Sequence, residues 1–422
     1  MRDFILACAA IGGVAAAVAG PLLAALFAGL SLWGQAAERT AVVSAASIAL
    51  GVTAISIGLG LPLAWAGWQA MRGAADRRVG GGRWGVWLAL FAGVLLIGQG
   101  AVGRAGAAAI MPLFQVAAGA LPALLFFSIA LAAGRSGETI AWRPALGSLA
   151  WGGLGGTSLA LTVELILIVV AVIVVAAALQ AVDPALVERL LAAGQEMQQT
   201  GRPPDLAGLR DVASSPVFVV GVLGLVGIVA PLVEELLKGL AVPLVVAAGG
   251  RSGRLTGFLL GVAAGAGFAI VEGILNGALA LRMTELWAGL MLLRGAAAAM
   301  HCLAAGLAGL GWQAILVERR WLAGSVLGLL SLSLHGAWNL SVGIIGLISL
   351  RVAGAGGALA VAWLGALAAL MLFMAGLWLA VVAGLVAIPK GLAHAEGACV
   401  LAHIAKPPSF CSPGGSMPRN SR

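Results

Sequence analysis

Ten times along this chain a run of roughly 20 or more apolar residues passes with almost no charge, and that recurrence leaves few folds open. In a bilayer no water is present to satisfy backbone N–H and C=O groups, so a spanning segment must be a helix or part of a closed barrel. Runs this long exceed a barrel strand, which needs only about 9–11 residues. They lie at about 5–33, 42–70, 84–103, 108–133, 148–179, 217–248, 255–280, 287–316, 322–349 and 355–388. The expected fold is therefore all-α, a polytopic bundle of about ten transmembrane helices. With 61% hydrophobic and only 9% charged residues, a soluble globular domain is excluded. The first run continues to about Trp33, too long for the apolar core of a signal peptide, and is expected to remain as a span. Abundant small-residue spacings such as "GGLGG" and "GVAAGAG" suit close helix approach in lipid.

The net charge of +8 does not point to nucleic acid, because no basic cluster alternates with aromatics. It is better read as loop charge that sets orientation. With the N-terminus inside, the inner segments hold Arg2, Arg72, Arg77, Arg78, Arg83, Arg135, Arg143, Arg251, Arg254, Arg319, Arg320, Lys390, Lys406, Arg419 and Arg422. The outer loops hold only Arg39, Arg104, Arg189, Arg202, Arg210, Arg282 and Arg351. Both termini are thus expected inside. The organisation that follows is an N-terminal five-span region (1–179), an extracytoplasmic loop (180–215) with a short surface helix, a second set of spans (216–350), a final span (351–388) and a cytoplasmic, disordered tail (389–422). The four cysteines are scattered and form no disulfide framework. His394, Cys399, His403 and Cys411 have a loosely metal-like spacing, but the surrounding proline, serine and glycine read as a disordered end.

Against this apolar background eight ionisable side chains lie inside spans: Glu164, Glu234, Glu235, Lys238, Glu272, Arg294, His301 and His335. Each charged one costs at least about 2.5–3.5 kcal/mol at a helix centre, so their retention calls for a purpose. In "EELLK" Lys238 is i,i+4 from Glu234 and i,i+3 from Glu235, so it can meet either carboxylate and leave the other as a candidate general base. The plainer reading is an ion pair bracing a helix kinked between Pro231 and Pro243. Glu272 follows Phe268 by four residues; Arg294 and His301 share a face, as do His335 and Asn339. A lone membrane histidine is more often a helix–helix hydrogen bond than a ligand. Cys302 points about 100° away from His301 around the helix and is not counted as a co-ligand. Glu234, Glu272, His301 and His335 lie at similar depths, roughly 20–26 Å from the inner helix ends, so four consecutive helices can present them to one layer. Glu164 stands alone in the fifth span, with no assigned partner.

The ordered set EExxK (Glu234, Glu235, Lys238), FxxxE (Phe268, Glu272), Arg294 with His301, and HxxxN (His335, Asn339) resembles the PrsW family of intramembrane proteases. More distantly it is similar to the CAAX-protease and bacteriocin-processing superfamily, which has histidine where this chain has Glu272. The resemblance covers about 217–350 and leaves the first five spans without a counterpart. It implies hydrolysis of a peptide bond in a single-span membrane protein, such as site-one cleavage of an anti-sigma factor, by a multi-pass protein of a bacterial-type cell membrane. Glu234, Glu235, Glu272, His301 and His335 are then the expected catalytic residues, with Lys238, Phe268, Arg294 and Asn339 supporting. In a glutamate scheme Glu234 or Glu235 activates water, and the histidines with Asn339 stabilise the oxyanion. In a zinc scheme His301, His335 and Glu272 are the ligands. No HExxH motif or other close ligand pair is present, which favours the glutamate scheme. Two other classes remain open: a proton- or ion-coupled transporter, in which Glu164 matters as much as Glu235, and a non-catalytic membrane scaffold, in which the glutamate pair is structural. In a protease Glu164 is expected to be nearly silent.

Overall fold

The computed structural model of the protein describes residues 1–34, 39–79, 83–134, 140–200, 215–249, 253–352 and 357–405. Among them there is no strand, only an isolated bridge between Arg78 and Ala141. Ten helical segments are long and apolar enough to cross a membrane, and the chain is a multi-pass membrane protein. We number the helices α1 (Arg2–Gly34), α2 (Arg39–Met71), α3 (Trp84–Ala101), α4 (Met111–Ala133), α5 (Trp142–Val182), α6 (Pro184–Thr200), α7 (Pro216–Ala247), α8 (Arg254–Gly277), α9 (Trp287–Leu316), α10 (Trp321–Val352) and α11 (Gly357–Ala405). The polar α6 is the one that does not qualify as a span; it is the short helix expected after the fifth run. The remainder of that loop, 201–214, lies outside the described residues.

Helix α8 is the centre of the molecule. Its sequence spaces Gly257, Gly261 and Gly265 four residues apart, a small-residue stripe that lets another backbone come close. That backbone is α9: a Cβ on Gly261 would run into the Ala305 carbonyl, and one on Gly265 into the His301 carbonyl. On another face of α8, Gly267 sits against the Leu149 carbonyl of α5. The close approach of α9 brings the His301 segment directly onto α8.

The first five spans are not a separate layer. One apolar cluster joins Leu59 of α2, Phe126 of α4, Ala150 of α5, Phe258 and Leu260 of α8, and Leu385 of α11. Two spans carry a π-helical turn, Trp151–Gly156 in α5 and Leu225–Val229 in α7. Such a turn adds one residue to the local repeat and frees a backbone carbonyl for another partner. Farther along α7 the helix pauses at Leu240, where Pro243 has no N–H to offer the turn before it.

The tail departs from expectation. Helix α11 continues through Pro389 to Ala405, so the first part of the segment expected to be disordered is helical. Residues 390–405 are dominated by alanine and other helix formers, and the paired prolines come only at 407 and 408. The extension is also tied back: Glu396 Oε1 accepts the Leu255 backbone N–H at 3.0 Å, capping the first turn of α8. Cys411 and the rest of the tail, from 406 onward, lie outside the described residues.

Candidate active site

Helix α7 supplies the charged core of the site. After its π turn, the segment Ala230–Gly239 turns Glu234, Glu235 and Lys238 inward, all buried, and leaves Leu232 and Leu236 outward. Lys238 is fully buried, and all three of its N–H bonds have acceptors. Nζ lies 2.6 Å from Glu235 Oε1, 3.2 Å from Glu234 Oε2 and 3.1 Å from His301 Nδ1. The Phe268 ring covers it, with the ring centroid 4.2 Å away. The sequence had suggested that the lysine would take one carboxylate and leave the other; instead it bridges both.

Helices α8 and α9 supply the second group. Glu272 lies 2.9 Å from Arg294 and 2.5 Å from His301 Nε2, and it accepts a hydrogen bond from Asn276 at 3.0 Å. An ammonium can only donate, so His301 Nδ1 must accept from Lys238. The ring proton therefore sits on Nε2, facing Glu272. Cys302 turns away into the apolar cluster, as its position on the helix required.

Helix α10 closes the site with Ser331, His335 and Asn339, spaced four residues apart along one face. The His335 ring stands edge-on to that of His301, with centroids 4.8 Å apart. His335 Nδ1 is 2.8 Å from Glu235 Oε1; a carboxylate only accepts, so Nδ1 carries the proton. Nε2 faces Glu234 Oε2 at 3.7 Å. The single Ser331 hydroxyl proton has two acceptors in reach, Glu235 Oε2 at 3.0 Å and the Ala304 carbonyl at 2.7 Å. Asn339, expected at the oxyanion, instead donates through Nδ2 to the Val226 carbonyl at 3.1 Å, within the π turn of α7. It positions the turn that aims Glu234 and Glu235.

All the sequence-expected residues are thus brought together, Asn339 through the backbone. Sequence reasoning missed Ser331, whose signal was its place one turn before His335. It also missed Trp151, whose indole Nε1 donates to the Leu237 carbonyl at 2.8 Å and locks α5 to the site helix. Glu164 is no longer alone. Glu234, Lys238 and Glu272 lie within electrostatic range of its carboxyl, whose Oε1 is buried without a hydrogen-bond partner among the described residues. Its position therefore no longer separates a transporter from a protease.

The two glutamates differ in how fully they are engaged. Glu235 contacts Lys238, His335 and Ser331 together, whereas Glu234 makes a longer bond to Lys238 and lies 3.7 Å from His335 Nε2. A cavity of about 310 Å³ between α7, α9 and α10 reaches Glu235 and Ser331. Its walls are apolar or small, among them Leu236, Trp312, Leu329, Gly324 and Gly328.

One donor set has the chemistry of a metal site: Glu234, His301 and His335, with ligand atoms within 4.8 Å of one another. Glu234 takes the place that the sequence gave to Glu272, which is spent on Arg294 and His301. The His335 Nδ1–Glu235 bond has the form of the outer bond that orients a ligating histidine. As arranged, however, the set does not fit an ion. The Lys238 ammonium is bonded to two of the three donor residues, and both nitrogens of His301 are engaged. Zinc bonds of about 2.0–2.1 Å would also require the donors to close to about 3.3 Å of one another. A dication about 4 Å from the ammonium would be repelled by about 8 kcal/mol at an effective dielectric of 20.

Residues 212–375 match the family model PrsW-protease, described as PrsW family intramembrane metalloprotease. No curated protein and no solved structure matches the chain. The matched stretch takes in α7 to α10 and the beginning of α11, and so every element of the site except those from α5. The match spans under half of the chain, and over residues 212–375 the chain is similar to the PrsW family of intramembrane proteases.

Proposed function

We propose that the protein is an endopeptidase of single-span membrane proteins, of the kind that makes a site-one cut in an anti-sigma factor. In this reading Glu234 activates the attacking water without a metal. The observation that carries the reading is the unequal engagement of the glutamate pair. Glu235 contacts three side chains, while Glu234 has only the longer pair with Lys238 and faces His335 Nε2, which this reading takes as the neutral nitrogen. A water between them gives one proton to the Glu234 carboxylate and directs the other at His335 Nε2. Its oxygen bonds to the scissile carbonyl carbon, and the carbonyl π pair moves onto oxygen. When that pair returns, the C–N bond breaks and Glu234 passes its proton to the leaving nitrogen. The positive charge of Lys238, fixed in a water-poor site, stabilises the anionic intermediate.

The apolar cavity supports a substrate that arrives from lipid: it reaches Glu235, the sequence neighbour of Glu234, between membrane helices and offers few polar partners. The arginine distribution supports a cell membrane of bacterial type with both termini on the cytoplasmic side.

The test compares new protein N-termini in native membranes containing wild type or Glu234→Gln at equal levels. Juxtamembrane ends on single-span proteins are expected with wild type alone. Identical profiles from two folded, equally abundant proteins would remove the support for hydrolysis.

A further inference from the structure

Lys238 stands where its neighbours would otherwise gather a metal. The three donor residues Glu234, His301 and His335 are buried and converge from three helices, as a metal site requires. Two of the three are hydrogen-bonded to the Lys238 ammonium, at 3.2 Å and 3.1 Å, and Glu235 adds a third acceptor at 2.6 Å. The Phe268 ring presents its negative face to the same charge. An ammonium with three acceptors and an aromatic wall has its requirements met, and the donor set has its positive charge supplied from within the chain.

We propose that Lys238 is the resident cation of this site: its ammonium takes the place of a divalent metal among Glu234, His301 and His335 and keeps zinc out. The inference rests on the protease reading for its catalytic consequence, that Lys238 supplies the positive charge a metal would bring. Two consequences concern the protein itself. The wild-type chain holds no zinc at this site. Replacing Lys238 by a neutral side chain of similar length removes the competing charge and leaves the donors free to close on an ion.

The experiment uses the full chain purified in detergent, equilibrated with zinc alone and then freed of loose metal. Bound zinc per chain is measured for wild type, Lys238→Met, and Lys238→Met combined with His335→Ala. Wild type is expected at background, Lys238→Met at one zinc per chain, and the double variant at background again. Zinc should raise the melting temperature of Lys238→Met and leave that of wild type unchanged. One zinc per wild-type chain, lost on His335→Ala, overturns the proposal; so does a folded Lys238→Met that binds none. Should the methionine variant fail to fold, Lys238→Gln carries the same expectation, and the wild-type arm decides regardless. No arm measures cleavage. A failure here therefore leaves the protease reading standing, and a failure of that reading leaves the zinc stoichiometry to be judged by itself.

Discussion

Glu234 and Glu235 are neighbours in sequence with different work to do, and single substitutions separate them. Glu234→Gln removes a proton acceptor and weakens the 3.2 Å pair with Lys238, so cleavage of a single-span reporter should fall by about 10²–10⁴-fold, with a smaller loss of melting temperature than Glu235→Gln. Glu235→Gln weakens the shortest ion pair in the site as well as the bonds to His335 and Ser331, so both cleavage and melting temperature should fall. Removing one partner of a buried pair costs about 3–5 kcal/mol, and the neutral amide retains part of that. Ser331→Ala loses one hydrogen bond to a buried carboxylate and should destabilise the detergent-solubilised protein by about 1.5–3 kcal/mol in a thermal or denaturant titration. The residues carrying this chemistry were largely legible in the sequence, because an ionisable group in an apolar span stands out. Ser331 was not, since a serine in such a span is cheap and common.

At the scale of the element, the phase of α7 matters most. Its π turn is held by Asn339, whose Nδ2 donates to Val226 on the preceding face. Asn339→Asp keeps the shape but removes the donor. Steady-state cleavage by this variant should show a lower kcat with KM little changed, because aim is lost while the cavity is not. The α8–α9 contact is equally local. At Gly261 a methyl group meets the Ala305 carbonyl, so Gly261→Ala should lower stability by about 1–3 kcal/mol in thermal unfolding, and larger side chains should prevent folding. The sequence showed the glycine spacing but not which helix it receives. The π turns left no sequence signal at all, because a period of one extra residue is invisible where every residue is apolar.

For the whole molecule, α5 and the end of α11 are tied to the helices that carry the site. α5 contributes Trp151 and Glu164 to the site from outside the matched family segment. Glu396, 141 residues along the chain in a tail expected to be loose, caps α8. Glu396→Ala should cost about 0.5–2 kcal/mol of stability, measured by unfolding in detergent. At the ends of α8 and α9, Arg254 bonds Glu318 and holds its carboxyl below the usual carboxylate range. Orientation is testable on intact cells: a cysteine placed at Arg320 should resist an impermeant thiol reagent, and one placed at Arg189 should react.

The sequence alone determined the ten spans and the set of buried charges, because both follow from the energetics of apolar and ionisable groups in lipid, residue by residue. It also carried the family resemblance, since the motif spacings lie within single helices. Only the tertiary structure decided which glutamate is spent, that Lys238 bridges both carboxylates and His301, that Glu234 replaces Glu272 in the donor set, and that Asn339 serves the backbone. Those outcomes depend on which faces of α5, α7, α8, α9 and α10 meet. In a chain where nearly every face is apolar, that choice is made by glycine contacts and π turns, not by hydrophobic pattern.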